Sequence, residues 1–97
     1  MHQALEIVIF KAQPGVSAEA LTAASRAVTP VLATLPGFVS RRFGSAADGE
    51  FVDIVCWQTL AQAKQAAEAV MAMPVCGAFF ALIDPQTIQL RHLNCAD

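Results

Sequence analysis

The stretch DGEFVDIVCW, residues 48–57, decides the fold and raises the main question about function. Asp48 and Gly49 give a hairpin turn signal, and a run rich in β-branched and aromatic residues follows them to Trp57. This predicted strand carries apolar side chains on both faces and one carboxylate, Asp53, in its middle. A strand of this kind is buried on both sides, and a buried carboxylate needs a partner.

The residues before this strand predict a strand, a helix and a second strand. ALEIVIFKA, residues 4–12, has the composition of a strand, and Ser17 fits the N-cap of the helix that follows. Pro30 lies inside the helical pattern, so we expect a kink or a break near Val28 and Thr29. LPGF then ends the helix, and FVSRRF forms the second strand.

The residues after it predict a second helix, a short third helix and a last strand. Thr59 fits a capping box with Gln62, and Pro74 fits the first turn of the short helix. QTIQLRHL, residues 86–93, alternates as a strand. The whole order predicts an α+β fold: a ferredoxin-like βαββαβ domain over residues 1–97, with an antiparallel sheet and helices on one face.

Composition limits the functions that remain. The chain is 56% hydrophobic and 14% charged, with a net charge of −2, which gives nucleic-acid binding almost no electrostatic support. Its 3 cysteines lack a CxxC pair, and with 2 histidines they argue against a disulfide framework or a metal site. No apolar run is long enough to span a membrane. We therefore expect a cytoplasmic protein with reduced cysteines.

The excess of apolar residues points to burial between two copies of the chain. Strand alternation groups Val8, Phe10, Phe51, Val55 and Trp57 on one face of the sheet. We expect this face to be the one that the helices leave bare. The predicted assembly is a homodimer in which two such faces meet.

Charged residues on the same face suggest a small-molecule site. If Phe43 and Phe51 are a cross-strand pair beside the hairpin loop, Arg41 lies directly opposite Asp53. Parity along the last strand places Arg91 on the Asp53 face as well. An apolar cavity with a few convergent polar groups is the usual form of such a site.

The candidate site residues have two possible roles each. The Arg41–Asp53 pair is either a structural salt bridge or catalytic machinery, and Trp57 either packs in the core or lines a pocket. His92 has the chemistry of an acid or base, although its parity directs it toward the helices. The catalytic candidates are Asp53, Arg41 and His92, and the candidate ligand contacts are Glu6, Phe10, Arg42, Trp57 and Arg91.

Three segments resemble the antibiotic biosynthesis monooxygenase-like family of dimeric α/β-barrel proteins. They are QPGVSAEAL after the first strand, PVLATLPGFVSRRF from residue 30, and DIVCWQTLAQAKQAAEAV from residue 53. The resemblance implies a ferredoxin-like protomer and a homodimer with a cavity between the sheet and the helices. It also implies that some relatives oxygenate polycyclic aromatic substrates without a metal or flavin.

Two hypotheses follow from the residues and the resemblance. The first is a cofactor-independent oxygenase for a small aromatic molecule, with Asp53 as base, Arg41 or Arg91 as anion stabiliser and Trp57 as a stacking wall. The alternative is a non-catalytic dimeric module that binds a small apolar ligand or only assembles. A haem-degrading relative would need an Asn on the first strand and a His on the second helix; the first strand has Glu6 instead, and the second helix has no His.

Overall fold

The computed structural model describes residues 2–96. In that range the predicted βαββαβ order is confirmed, and the short helix after Pro74 follows the second of the two main helices. Single turns of 3-10 helix lie at Val70–Ala72 and Pro85–Thr87. The elements are β1 (Ala4–Phe10), α1 (Ala18–Leu32), β2 (Phe38–Ser45), β3 (Phe51–Trp57), α2 (Leu60–Ala69), α3 (Pro74–Phe80) and β4 (Gln89–Asn94).

The sheet is antiparallel throughout, with the strand order β2-β3-β1-β4. The two central strands are β3 and β1, so the segment that contains Asp53 is paired along both of its edges. The edge strands β2 and β4 do not pair with each other. The sheet of one chain is therefore open and does not close into a barrel.

Side-chain caps start both main helices as the sequence predicts. The Ser17 hydroxyl accepts from the Ala20 backbone N–H at 3.0 Å, and the Thr59 hydroxyl accepts from the Gln62 N–H at 3.1 Å. These bonds satisfy donors that the first helical turn leaves unpaired. The expected break near Pro30 does not occur. The helix α1 continues through this proline, which is exposed, and ends at Leu32.

The assignment of the two sheet faces from the sequence is wrong. The helices cover the face that bears Phe10, Phe51, Val55 and Trp57, which form the core together with residues of α1, α2 and α3. The bare face carries the other alternating set, including Ile7. Because β1 and β3 are apolar on both faces, alternation alone cannot tell which face the helices cover.

The bare face, which we call the open face, consists of the β-branched and aliphatic set. Leu5, Ile7 and Ile9 of β1 lie directly across from Cys56, Ile54 and Val52 of β3. Leu93 of β4 pairs with Leu5, and it remains 38% exposed. The helix-covered face instead carries aromatic side chains, whose volume fills the space between two layers.

The register of the β2–β3 hairpin differs from the prediction by two residues. Phe43 pairs with Asp53, and Ser45 pairs with Phe51, because β2 runs further than expected before the turn at residues 46–50. Arg41 therefore lies opposite Val55 and diagonal to Asp53. A shift of two residues keeps every side chain on its face, so Arg41 and Asp53 still share one side of the sheet.

Candidate functional site

A cavity of about 530 Å³ lies between the helix-covered face of the sheet and the helices; we call it the helix-side cavity. Small side chains create it, because α2 presents Ala66 and Ala67 to the sheet where larger residues would fill the gap. Exposed apolar residues, among them Met71 and Leu90, stand at its opening. The apolar walls include Phe10, Val28, Leu32, Val55, Val70 and Phe79.

Few polar side chains line this cavity: Glu6, Gln13, Asp53 and Cys76, with the indole of Trp57. No lysine, arginine or histidine is among the residues of the described chain that line it. A volume of this size with sparse polar groups is typical of a small-molecule site.

Asp53, in the wall of the cavity, forms a closed ion pair with Arg41, which lies behind the wall. Arg41 Nε donates to Asp53 Oδ1 at 2.9 Å, and a terminal guanidinium nitrogen donates to Oδ2 at 2.7 Å. The Arg41 side chain is 2% exposed and that of Asp53 is 12% exposed. The bidentate geometry occupies both carboxylate oxygens and fixes the orientation of the carboxylate plane.

The remaining terminal nitrogen of Arg41 attaches the sheet to α1. It donates to the Ser25 carbonyl oxygen at 2.7 Å and to the Thr29 hydroxyl at 3.0 Å. The guanidinium also lies 5.5 Å from the ring centroid of Phe43 and 5.6 Å from that of Phe79. All three guanidinium nitrogens of Arg41 thus donate to protein atoms, and Arg41 is not among the residues that line the cavity.

Glu6 and His92 form a second polar pair beside the cavity. The two residues face each other across the β1–β4 pairing, and His92 Nε2 lies 2.7 Å from Glu6 Oε2. Both side chains are 17% exposed. Glu6 lines the cavity. His92 does not line it, and its ring contacts the Glu6 carboxylate.

Trp57 is a buried aromatic residue with an unsatisfied polar atom. The residue is 2% exposed, lines the cavity and packs edge-on against Phe38 at 5.7 Å between ring centroids. Its Nε1 is buried and has no hydrogen-bond partner in the described chain. A buried donor without an acceptor is costly.

Cys76 is the buried thiol of the cavity wall. Burial raises the pKa of this thiol above its usual 9.0, and the nearby Arg41 guanidinium opposes the shift only in part. The thiol is therefore neutral and a weak nucleophile near neutral pH. Burial also raises the pKa of Cys56, which lies across from Leu5 on the open face.

Two of the predicted ligand contacts lie on the wrong side of the sheet. Arg91 pairs with Ile7, and Arg42 pairs with Ile54, so both project from the open face and do not line the helix-side cavity. Alternation along β4 does not by itself fix which side Arg91 takes, because the face of β4 is set by its register with β1. The other predicted residues, Asp53, Arg41, His92, Glu6, Phe10 and Trp57, lie in or directly behind the cavity wall.

The resemblance implied a cavity between sheet and helices, whereas the residue pattern alone placed the site on the bare face and did not reveal Glu6 and His92 as a pair. Alternation along β1 groups Glu6 with Val8 and Phe10, on the face expected to be bare, and His92 was expected on the helix side, so nothing placed the two together. The alanines of α2 were the available signal, because small residues on a buried helix face leave room above a sheet. Within residues 2–96, no group of three or more His, Cys, Asp or Glu could hold a metal ion, and no helix is long and apolar enough to cross a membrane.

Comparison with solved structures identifies the fold. No protein-family model and no curated protein matches the sequence. Its fold is that of the antibiotic biosynthesis monooxygenase-like proteins, and the predicted resemblance is confirmed at this level.

Three of the similar structures show how complete this agreement is. SnoaB, a cofactor-independent oxygenase from Streptomyces nogalater, has a TM-score of 0.77 at 16% identity, covering 100% of this chain and 96% of its own. A candidate antibiotic biosynthesis monooxygenase from Nitrosomonas europaea has a TM-score of 0.75 at 16% identity over 98% and 91% of the two chains. Rv0793 from Mycobacterium tuberculosis has a TM-score of 0.73 at 19% identity over 98% and 96%.

Proposed function

We propose that the protein binds a small aromatic molecule in the helix-side cavity and oxygenates it without a metal or organic cofactor. The observation that carries the proposal is the cavity itself: about 530 Å³, with apolar walls and a few polar groups at fixed positions. The fold shared with SnoaB, which is a cofactor-independent oxygenase, supports the choice of reaction.

The walls favour a flat, apolar ligand. Phe10 and Phe79 pack edge-to-face at 6.0 Å between centroids, and Val55 and Leu32 add aliphatic surface. Aromatic ligands gain both burial and ring contacts from such walls.

The chemistry assigned to this site requires the substrate to lose a proton and become electron-rich. The resulting anion then supplies the electrons that reduce dioxygen, so no separate reductant is needed. Asp53 is a poor acceptor for that proton, because each of its oxygens already accepts a hydrogen bond from Arg41. The Arg41–Asp53 pair is therefore proposed to position the wall of the cavity and not to exchange protons.

Ligand binding is testable through the single tryptophan of the chain. Since Trp57 lines the cavity, a neutral aromatic such as para-nitroanisole should quench its fluorescence saturably. Ala67→Phe fills the cavity and should abolish the effect, whereas Ala61→Phe, on the exposed side of α2, should leave it unchanged. Quenching that is linear in probe concentration, or equal in both variants, would contradict the binding proposal.

Catalysis needs a separate measurement. Oxygen uptake with quinol-like aromatics should be saturable in the wild-type protein and lost in Ala67→Phe. Asp53→Asn should retain most of the rate per folded molecule if the pair only positions the wall. Binding without any oxygen uptake across the series would favour the alternative, a non-catalytic ligand-binding module.

The homodimer is a second proposal, and it rests on the open face. Leu5, Ile7 and Ile9 lie on β1 with no helix over them, and Leu93 is exposed beside them. An apolar surface of this kind favours association, although Arg42 and Arg91 project from the same face beside it. We expect light scattering to give twice the chain mass, and Ile7→Glu to give a monomer. Val75→Glu, an exposed apolar site on α3, is the control and should remain dimeric.

A further inference from the structure

Glu6 is the carboxylate of the helix-side cavity that retains a free oxygen. Its Oε2 is engaged by His92 Nε2 at 2.7 Å, while its Oε1 takes part in no hydrogen bond among residues 2–96. Asp53 has no such oxygen, because Arg41 occupies both. Of the two carboxylates in the cavity wall, only Glu6 has an oxygen that accepts no hydrogen bond from residues 2–96.

His92 gives this carboxylate a fixed orientation. The residues are direct cross-strand partners, so the imidazole reaches the carboxylate from the neighbouring strand without extending into the cavity. A carboxylate held by one oxygen presents the other in a defined direction. The flanking side chains on this face are Val8 and Leu90, which pair with each other, and Val55 across β1 from Glu6.

The charge of the cavity limits which ligands it accepts. Its described lining contains the carboxylates of Glu6 and Asp53 and no arginine, lysine or histidine. The guanidinium of Arg41 is already neutralised by Asp53. An anionic ligand would therefore enter an apolar cavity without a free cation to pair with, which is costly.

We infer that the Glu6–His92 pair is the proton-accepting group of the cavity, and that its ligands are neutral aromatics with an acidic hydroxyl, the phenols and hydroquinones. In the step, the ligand O–H bond breaks, the proton moves to Glu6 Oε1, and the electron pair stays on the ligand oxygen. The new carboxyl O–H then donates to the phenolate oxygen, while His92 keeps its contact with Oε2. The net charge of the site does not change, so no charge is added to the cavity.

This inference rests on the proposed ligand cavity but is separable from it by the choice of probes. Para-nitrophenol has a hydroxyl and absorbs at different wavelengths as phenol and phenolate. Para-nitroanisole has the same ring but no hydroxyl proton. Para-nitrobenzoate is an anion and has no acidic proton to donate. Titration of the full chain with each probe, at a pH where free nitrophenol is mostly neutral, reports binding and proton transfer together.

The wild-type protein should bind para-nitrophenol more tightly than para-nitroanisole, and the absorbance of the bound nitrophenol should shift toward that of the phenolate, which is the phenolate signal. Glu6→Gln should weaken nitrophenol binding about tenfold and remove this signal, since a hydrogen bond to a charged group is lost. Nitroanisole affinity should change less than about twofold, within the usual effect of a neutral exchange. Para-nitrobenzoate should not bind.

Several results would overturn the inference. A phenolate signal that survives Glu6→Gln, or tight binding of para-nitrobenzoate, would contradict it while leaving the cavity proposal intact. Failure of both nitrophenol and nitroanisole to bind would overturn the cavity proposal and this inference together. If circular dichroism shows that Glu6→Gln does not fold, His92→Leu is the test variant: a weakened phenolate signal supports the inference, and an unchanged signal contradicts it.

Discussion

Removal of Arg41 should be the most damaging polar substitution in the chain. Arg41→Met retains an apolar side chain of similar length but leaves the Asp53 carboxylate buried without a partner. The Ser25 carbonyl and the Thr29 hydroxyl lose a donor in the same change. Breaking one side of a buried ion pair costs about 3–5 kcal/mol. For a domain of this size each kcal/mol lowers the melting temperature by roughly 4–8 °C, so the drop should exceed about 12 °C.

A double-mutant cycle separates the ion pair from the packing around it. Urea denaturation of wild type, Arg41→Met, Asp53→Leu and the double variant gives the four free energies of unfolding. The double variant should recover most of the loss, because two apolar side chains can replace a buried pair at little cost. Single variants that each lose less than about 1 kcal/mol would refute the reasoning, since that is the contribution of a solvated surface pair.

Three further predictions concern the turn, the helix cap and the buried thiol. Gly37 has φ +86°, and a Cβ there would clash with the Gln62 side chain, whereas Gly15 has the same φ with open space around it. Gly37→Ala should therefore lose at least about 1 kcal/mol more unfolding free energy than Gly15→Ala, as measured in urea. Thr59→Ala removes the N-cap of α2 and should cost about 1 kcal/mol by thermal unfolding, and Thr59→Ser should restore it. Burial raises the pKa of Cys76, so the fold holds the neutral thiol: its contribution is complete below the ordinary 9.0 and is lost as pH rises through the folded value. Unfolding free energy should fall as pH rises above the ordinary 9.0, and by less in Cys76→Ala; an equal fall in both would contradict this assignment.

The order of elements was predictable because its signals are local. Ser17 and Thr59 bond the backbone of the residues after them, and Pro74 starts α3 as a proline at a helix N-terminus does. Asp48 and Gly49 mark the hairpin, and Gly49 does take positive φ. Signals of this kind act within a few residues and require no knowledge of the tertiary structure.

The choice of sheet face was not predictable from alternation. Ile7 and Val8 are equally suited to a buried surface, so the pattern of β1 fits either orientation. The space between the sheet and the helices decides which face is covered. Phe10, Phe51 and Trp57 fill this space better than the β-branched set does. The size of aromatic side chains was therefore a better guide than hydrophobicity.

The proximity of Arg41 and Asp53 was predictable from the sequence, whereas the Glu6–His92 contact was not. Arg41 and Asp53 share a face whether the hairpin register shifts by zero or two residues, so their proximity does not depend on the exact turn. The Glu6–His92 contact depends on the β1–β4 pairing, which joins residues far apart in sequence. Arg91 was placed wrongly for the same reason, since its face is fixed only by that pairing.

The central claim is that the helix-side cavity is the ligand site. A crystal of the protein soaked with para-bromophenol tests it directly, because anomalous scattering locates the bromine without prior assumptions. We predict one bromine peak inside the cavity, among Phe10, Val55 and Phe79, with the hydroxyl oxygen within about 3 Å of a Glu6 carboxylate oxygen. A cavity that stays empty while bromine occupies the open face would contradict the account.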